Sequence, residues 1–364
     1  EYKEWFTVFD YPVRFLHRPH LYANTYKVGW DGNAEEYKTY LEKTFKETKV
    51  PVEVVDDDGP IIEPTFKAWW GVPDMPKINF KNDGARQWAL DVTEHWIKNF
   101  DIDGWRMDVA KELDFSFWKD FRDVAYSAKK DILLISEIFG DTSQWLQGER
   151  FDGTMNYSFR ETMTDYFATK RIDNKEFANS LANLYSMYSF EALSSCQNLL
   201  SSHDVKRFLN RCGANTDGMF GAVFLQATFP GIAGIYYGDE IGLGGADDPF
   251  NREPFPWESE DKWNKDLLNF TSELMNIKTS QPILRYGNFE MVTYDDNYVI
   301  FRRVLNDESL LCIVNRDLKN KDIDLSTNAH SVDIVYGDCT IELDSGKLKI
   351  TDIADNFGLI IKES

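Results

Sequence analysis

Charged side chains stand where predicted buried strands end. Arg106 and Asp108 interrupt the apolar segment FDIDGWRMDV, and Glu137 closes the apolar segment DILLISEI. His203 and Asp204 follow a third such segment, NLLSS. A charge within a buried strand is costly unless it is paired or hydrogen-bonded, so these positions indicate a polar site. Carboxylates grouped in this way suit glycoside hydrolysis, in which one acts as nucleophile or base and another protonates the leaving oxygen.

The two carboxyl groups need different environments for that chemistry. A neighbouring arginine favours the ionised form of a carboxylate, which is the form that a nucleophile needs. The apolar neighbours of Glu137 in ISEIF favour a raised pKa, as a general acid requires. Taken alone, Arg106 with Asp108 would more often be a structural ion pair, and His203 a core histidine. Their grouping at successive strand ends favours a catalytic site.

The elements that must position these residues alternate between strands and helices. The strand segments are 102–109, 131–138, 151–157, 196–202 and 232–238. Such alternation predicts parallel βαβ units. The sequence has neither GxGxxG nor GxxxxGK[ST], so a nucleotide-binding open sheet lacks its usual signature. Polar groups at the C-terminal strand ends would share one mouth in a (β/α) barrel, and we therefore expect a barrel.

Flanking segments have other periodicities. Helices are expected at about 34–48, from Asn82 or Asp83 onward, and at about 260–279. The second of these helices has apolar residues at intervals of four, namely Trp88, Val92, Trp96 and Phe100. Six later segments alternate with period two and predict an antiparallel β-sandwich: NFEMVTY, YVIFRRV, LLCIVNR, HSVDIVY, KLKITDI and GLIIKE. We place domain boundaries to give regions 1–80, 81–281 and 282–364.

The composition excludes several classes of partner. The formal net charge of −21 argues against binding to nucleic acid or to an anionic membrane surface. The sequence contains no run of 18 apolar residues, so we expect no membrane-spanning helix. The four cysteines lack CxxC spacing, so we expect free, buried thiols and favour a cytoplasmic location.

Several ordered motifs resemble those of one known family. The segments DGWRMDVAKE, ISEIFGD and NLLSSHD resemble three signature regions of the α-amylase family, glycoside hydrolase family 13, in the same order. VPDMPKIN, QWLQGERFDGTMNY and GIYYGDEIGLGGADDPFNREPFPW are similar to its neopullulanase, cyclomaltodextrinase and maltogenic amylase branch. The resemblance implies an α/β fold: a partial (β/α)8 TIM barrel with strands 4 to 8, an inserted loop domain and a C-terminal antiparallel β-sandwich.

The resemblance also implies a role for each residue at the strand ends. Asp108 would be the nucleophile and Glu137 the general acid/base. Asp204 would hold and distort the sugar at the cleavage site. Arg106 would orient Asp108, and His203 would hydrogen-bond the hydroxyls of that sugar. The implied activity is a retaining hydrolysis of α-1,4 or α-1,6 glucosidic bonds in an α-glucan oligosaccharide or polysaccharide, with transfer to sugar acceptors.

Other positions matching the family pattern have simpler readings as well. Lys111 and Glu112 would contact the substrate, Glu112 on its acceptor side, or they are solvated charges at the start of a helix. Asp248 and Arg252 would contact the donor side, or they form an i, i+4 surface salt bridge.

Weaker expectations concern stacking and calcium. Trp69 or Trp70 would offer a stacking platform, although packing within a loop is the simpler reading for at least one of them. The chemistry implies no cofactor. The sequence leaves the need for a structural calcium ion undecided. The acidic turn DDDG at 56–59 has the ligand types for calcium, but a solvated turn is the simpler interpretation.

One part of the family pattern is missing from the chain. The signature region at the end of the third barrel strand is absent, and the segment EYKEWFTVFDYPV resembles the stretch that follows it. Five of eight barrel strands would leave two unpaired sheet edges. We therefore expect a completing N-terminal chain or a homodimer. The alternative function is a non-catalytic binding or scaffold subunit.

Overall fold

A computed structural model describes seven stretches of the chain and divides it into two compact units. The described residues are 2–17, 34–47, 52–56, 65–69, 75–314, 322–354 and 357–364. The first unit comprises Glu1–Asp101 and Asp123–Lys129, and the second comprises Ile102–Arg122 and Lys130–Ser364. The domain boundaries that we place after residues 80 and 281 stay predictions.

The first unit contains a pair of parallel strands and two helices. Strand β1 (Val13–His17) pairs in parallel with β2 (Val52–Asp56). Helix α1 (Ala34–Lys46) matches the helix expected at 34–48. Helix α2 (Asp83–Phe100) is the longest helix in the described part of the chain.

The covered face of α2 differs from the face that we expect. The N-cap is Asn82, whose side chain accepts a hydrogen bond from the Ala85 N–H at 3.1 Å, as the sequence predicts. The buried residues of the helix are Ala85, Leu90, Thr93 and Ile97. The predicted apolar face is instead largely open, with Trp88 49% and Trp96 43% exposed. A helix with apolar residues on two sides cannot be oriented by periodicity alone.

The second unit begins with five short parallel strands, which confirm the predicted partial barrel. They are β3 (Gly104–Met107), β4 (Leu133–Ser136), β5 (Gly153–Thr154), β6 (Gln197–Leu199) and β7 (Ile232–Gly234). β3 pairs with β4, β4 with β5, and β6 with β7, all in parallel. A parallel bridge between Met155 and Gln197 links β5 to β6. Since the strands run in chain order, their C-terminal ends meet at one edge.

Helices follow and flank these strands. They are α3 (Phe115–Ala128), α4 (Tyr157–Met163), α5 (Asn174–Ser186), α6 (Phe190–Ser195), α7 (Phe208–Arg211), α8 (Asp217–Thr228), α9 (Lys265–Ser280) and α10 (Pro282–Tyr286). A π-helical turn, Thr164–Ala168, continues α4. Helix α8 is apolar on every side and is buried along most of its length, as expected of a core helix.

The end of the chain forms the predicted antiparallel sandwich. Its strands are β8 (Asn288–Tyr294), β9 (Val299–Leu305), β10 (Glu308–Val314), β11 (Ile323–Ser326), β12 (Val332–Tyr336), β13 (Thr340–Asp344), β14 (Lys347–Thr351) and β15 (Gly358–Glu363). One sheet has the order β12-β15-β10-β9-β8, and the other has the order β11-β14-β13. A buried cluster that includes Ile300, Leu311, Leu348 and Ile361 fills the space between them.

Two buried cations close the C-terminal end of α8. The Lys278 ammonium donates to the carbonyl groups of Ala227 and Phe229, at 3.0 and 3.3 Å. The Arg303 guanidinium donates to the carbonyl group of Thr228 at 2.6 Å. Both side chains are nearly inaccessible to solvent. Burial lowers the pKa of Lys278 to about 7, because desolvation penalises its charged form.

Two further expectations concern cysteines and membranes. All four cysteines are free; Cys196 and Cys312 are buried as expected, whereas Cys212 and Cys339 are half-buried. In the described ranges, no helix is long and apolar enough to cross a membrane.

Candidate active site

One guanidinium joins two of the predicted carboxylates. Arg106 lies on β3, and Asp108 follows that strand directly. Arg106 Nη1 lies 2.6 Å from Asp108 Oδ1, and its Nη2 lies 2.7 Å from Glu137 Oε1. The two carboxyl groups differ in exposure, since the side chain of Asp108 is 71% exposed and that of Glu137 only 7%.

Glu137 has the surroundings of a carboxylic acid. Burial raises its pKa, and a hydrogen bond from the Val109 N–H together with the charge of Arg106 opposes that rise only in part. Asp108 and a side-chain hydrogen bond with Asp204 raise the pKa further. Two carboxyl groups can share a hydrogen bond only when one of them carries a proton. The arrangement therefore favours a proton on Glu137.

Backbone hydrogen bonds connect the ends of β3 and β4. The Glu137 N–H donates to the Met107 carbonyl at 2.9 Å, and the Ala110 N–H donates to the Glu137 carbonyl at 3.2 Å. Between them, Val109 adopts the left-handed region with φ 46°. A β-branched residue is strained there, and such strain is concentrated at functional sites.

His203 and Asp204 lie on the turn that follows β6. His203 Nε2 lies 3.0 Å from Asp204 Oδ2. Arg252 reaches the same turn: its Nη2 lies 3.6 Å from Asp204 Oδ1, and its Nε donates to the His203 carbonyl at 3.0 Å. Arg252 also pairs with Asp248 at 2.7 Å. The predicted pair Asp248 and Arg252 is thus joined to the carboxylate cluster through Asp204.

Asn251 supports this turn, although sequence reasoning did not single it out. The residue is fully buried, and its Nδ2 donates to the carbonyl groups of Ser202, His203 and Val205 at 3.3, 2.8 and 3.0 Å. One amide therefore fixes the backbone on both sides of Asp204. The sequence feature that could have identified Asn251 was its position beside Arg252 in the segment DDPFNREP.

A buried ion pair lies beneath Asn251. Arg207 is inaccessible to solvent; its Nε donates to the Asn251 carbonyl at 3.1 Å, and its Nη1 lies 3.2 Å from Asp239 Oδ1. The Ser201 hydroxyl donates to the same Asp239 oxygen at 2.9 Å. Burial nevertheless raises the pKa of Asp239 to about 7. The pair joins the segment after β6 to the segment after β7.

Tyr157 is a second residue that sequence reasoning missed. Its hydroxyl lies 3.1 Å from Ser202 Oγ, and burial raises its pKa to about 12. The ring stacks on Phe139, with centroids 3.8 Å apart and planes 19° apart. The available signal was its place as the last residue of the predicted strand 151–157, FDGTMNY; the observed strand β5 ends three residues earlier, at Thr154.

The remaining predicted residues lie outside these contacts or outside the described chain. Lys111 is exposed and Glu112 is half-buried, both on the 3-10 turn Ala110–Glu112. Trp69 is half-buried, and Trp70 lies outside the described residues. Asp56 ends β2, and the rest of the DDDG turn is likewise outside the described part. Within the stretches that the structure describes, no group of three or more metal-ligating side chains occurs.

Comparison with known proteins decides the family. A family model described as "Alpha amylase, catalytic domain" matches residues 65–283. The chain belongs to the alpha-amylase family. It is 35% identical over 268 residues to a cyclomaltodextrinase of Geobacillus thermopakistaniensis, an alignment covering 73% of this chain and 45% of that protein. It is 39% identical over 246 residues to neopullulanase 2 of Thermoactinomyces vulgaris, covering 67% and 42%.

The fold agrees with that assignment. A solved cyclomaltodextrinase structure superimposes with a TM-score of 0.81 and 28% identity, covering 100% of this chain and 55% of that chain. This chain spans about half the length of the curated relatives that it matches.

Proposed function

We propose that this chain carries the catalytic carboxylates of a retaining α-glucan hydrolase. The supporting observation is that Arg106 contacts both Asp108 and Glu137, while Glu137 hydrogen-bonds Asp204. Three acidic residues far apart in the sequence therefore meet around one small volume. That is the arrangement needed to protonate a glycosidic oxygen and to stabilise a developing positive charge at the anomeric carbon.

The proposed mechanism has two steps. Glu137 gives its proton to the glycosidic oxygen while Asp108 attacks the anomeric carbon, so that the leaving sugar departs and a covalent β-glucosyl intermediate forms. Glu137, now ionised, takes a proton from water, which attacks the same carbon and releases Asp108 with net retention. Asp204 and His203 would hold the hydroxyls of the reacting sugar. A sugar hydroxyl in place of water would give transfer.

The assignment of the two main roles follows from their surroundings. Glu137 is buried with a raised pKa and so retains a proton to donate. Asp108 is largely exposed and is held by Arg106 Nη1 at 2.6 Å, so its carboxyl group is accessible to a substrate and fixed in position. An exchange of roles would place the nucleophile in the more buried position.

The substrate class is inferred from the relatives. Proteins named cyclomaltodextrinase and neopullulanase share the family and the fold. We propose maltooligosaccharides, cyclodextrin, pullulan and starch as substrates. The α-1,4 bond is the main linkage cleaved, and the α-1,6 bond is the second. The proposal includes no cofactor for the chemistry, since side chains supply acid, base and nucleophile; any bound calcium would be structural. Free cysteines support a cytoplasmic location.

The experiment is release of reducing sugar from maltotriose, pullulan and cyclodextrin. The variants Asp108→Asn and Glu137→Gln should abolish release, whereas Asp266→Asn and Glu342→Gln, which change exposed carboxylates elsewhere, should retain it. Undiminished release by Asp108→Asn and Glu137→Gln would reject the assignment. Proton NMR of the first product should show the α-anomer, and a β-anomer would reject retention.

A second candidate is a glucan-binding subunit without hydrolytic activity. It is favoured by the 72% exposure of Trp257, because an indole face open to solvent suits the binding of a sugar ring without hydrolysis. This candidate predicts binding of maltooligosaccharides without release of sugar, and release only after addition of a completing chain or on formation of a homodimer. Hydrolysis by the isolated monomeric chain would reject it.

A further inference from the structure

A group of three aromatic side chains, one exposed and two half-buried, follows the candidate active site in the sequence. Phe255, Trp257 and Trp263, here called the aromatic ridge, lie on the long segment after β7. Trp257 is 72% exposed, the highest exposure of any large apolar side chain in the described residues. The rings of Phe255 and Trp257 have centroids 4.3 Å apart, and those of Phe255 and Trp263 are 5.3 Å apart. Such exposure costs solvation free energy and calls for an explanation.

The ridge is held in place by its backbone. Prolines at 254 and 256 flank Phe255 and restrict the main chain. The Trp257 N–H donates to the Phe255 carbonyl at 2.9 Å. Trp263 Nε1 donates to the carbonyl of residue 256 at 3.1 Å, and the ammonium of Lys265 lies 4.4 Å from the Trp263 ring centroid. Binding of a ligand to Trp257 would therefore cost little conformational entropy, because this side chain is already ordered before the ligand arrives.

The ridge is tied to the site at two points. The Tyr237 hydroxyl, at the end of β7, donates to the Glu253 carbonyl at 2.9 Å. The preceding residue, Arg252, lies 3.6 Å from Asp204. Trp257 is four positions after Glu253, so their Cα atoms lie within about 14 Å of each other. Phe250, 62% exposed, lies on the same segment. The ridge is therefore within reach of a chain of sugar rings that passes the carboxylates.

The surroundings of the ridge select a neutral ligand. Glu258, Glu260 and Asp261 follow Trp257 and would repel a polyanion. An indole face exposed in an acidic, polar setting suits a ligand with one apolar face and many hydroxyls, which describes a pyranose ring. A protein partner would require a broader apolar surface than this one.

We propose that the aromatic ridge is a second glucan-binding surface, which holds sugar rings of a long α-glucan beyond the cleavage position. The ligand class rests on the proposed function. Binding to the ridge does not itself require hydrolysis, so the two claims are separable. Longer oligosaccharides should gain affinity from the ridge, because only they reach both places.

The test is calorimetric titration of the chain carrying Asp108→Asn with maltoheptaose and with maltotriose. Trp257→Ala should weaken maltoheptaose binding about three- to tenfold, and the loss should be smaller for maltotriose. Trp257→Phe should retain most of the affinity, because a phenyl ring still stacks. Trp96→Ala is the matched control, since Trp96 is also exposed but lies on α2, and it should bind as the parent does.

Three results would overturn the proposal. A Trp257→Ala variant that binds maltoheptaose as tightly as the parent would show that the ridge contributes nothing to the affinity. That result would not affect the proposed hydrolysis. A Trp257→Phe variant as weak as Trp257→Ala would reject stacking as the cause. A parent that binds neither oligosaccharide would overturn the ridge and the proposed function together. Weakened binding by Trp257→Ala, together with no release of sugar by the protein that retains Asp108, would support the ridge while rejecting hydrolysis.

Discussion

The backbone N–H of Val109 donates a hydrogen bond of 3.0 Å to Oε2 of Glu137, and Val109 makes this contact from the left-handed region at φ 46°. The contact joins the turn after the proposed nucleophile to the proposed acid. A β-branched residue in this region stores strain of about 1–3 kcal/mol. The fold therefore tolerates a local cost at the point where the two carboxyl groups are fixed relative to each other.

Val109→Gly should relieve that strain and keep the N–H. We expect the free energy of unfolding to rise by about 1 kcal/mol, less than the full strain because glycine gains entropy in the unfolded chain. Urea unfolding measures the change. Val109→Ala is the control, and it should gain less because its Cβ still disfavours a positive φ. A Val109→Gly variant less stable than the parent would show that the turn is unstrained.

Azide distinguishes the nucleophile from the acid. In Asp108→Gly, azide should attack the anomeric carbon of an α-glucosyl fluoride from the side that Asp108 vacates, giving a β-glucosyl azide. In Glu137→Ala, a covalent intermediate still forms from a substrate with a good leaving group, and azide replaces water to give an α-glucosyl azide. Each variant should lose a factor of about 10²–10⁴ or more in kcat on unactivated glucan. Product NMR reads the configuration, and the opposite pair of products would exchange the two roles.

The pH profile should depend on Arg106. Glu137 must be protonated to act as acid, so activity is present below its pKa and is lost as the pH rises through it. Arg106 lowers the pKa of Glu137, in opposition to burial. Arg106→Gln should therefore move the alkaline limb of kcat to higher pH, in addition to lowering kcat. Arg285→Gln, which changes an exposed arginine on α10, should leave the limb in place. A limb unmoved or shifted to lower pH in Arg106→Gln would contradict this electrostatic account.

The sequence predicted which residues meet, because apolar segments ending in charges identify strand ends and parallel strands align those ends. It overestimated the strand at 102–109, which spans only Gly104–Met107, so that Asp108 follows the strand. It also missed β11 and β13, short strands that alternate with period two but contain only two apolar residues each.

Sequence periodicity could not identify residues whose role depends on tertiary contacts. Asn251 binds carbonyl groups 46 to 49 positions earlier, and no local pattern encodes such a contact. The orientation of α2 was equally hidden, since Trp88 and Trp96 satisfy the same spacing rule as the residues that are buried.

Lys278 should make stability depend on pH. Its pKa is lowered from 10.5 to about 7 by burial, so between these values the unfolded chain binds a proton that the folded chain does not. The free energy of unfolding should therefore rise with pH across this window, by up to about 1.4 kcal/mol per pH unit from this group. A neutral amine still has two N–H groups for the carbonyls of Ala227 and Phe229.

The change that isolates this effect is Lys278→Met. Urea midpoints measured at pH 7, 8 and 9 should rise for the parent more steeply than for the variant. Lys265→Met, which removes an exposed lysine at the start of the same helix, should retain the parent's dependence. Equal slopes for the parent and Lys278→Met would show that Lys278 remains charged when buried.

One exposed surface predicts that the chain associates in solution. Trp88, Trp96 and Phe100 expose a large apolar face on α2, with the last two rings 4.6 Å apart. Sedimentation at several concentrations should therefore give a mass above 42.3 kDa, the mass of one chain.

Charged substitutions test the contribution of this aromatic face. Trp88→Lys combined with Trp96→Lys should lower the apparent mass if the face drives association, because lysine resists burial in an interface. Substitution of exposed polar residues on the sandwich, such as Thr340→Lys, should have no effect. A compact monomer at all concentrations with one cooperative unfolding transition by circular dichroism would contradict the prediction, and it would mean that the aromatic face of α2 is stable in water without a partner.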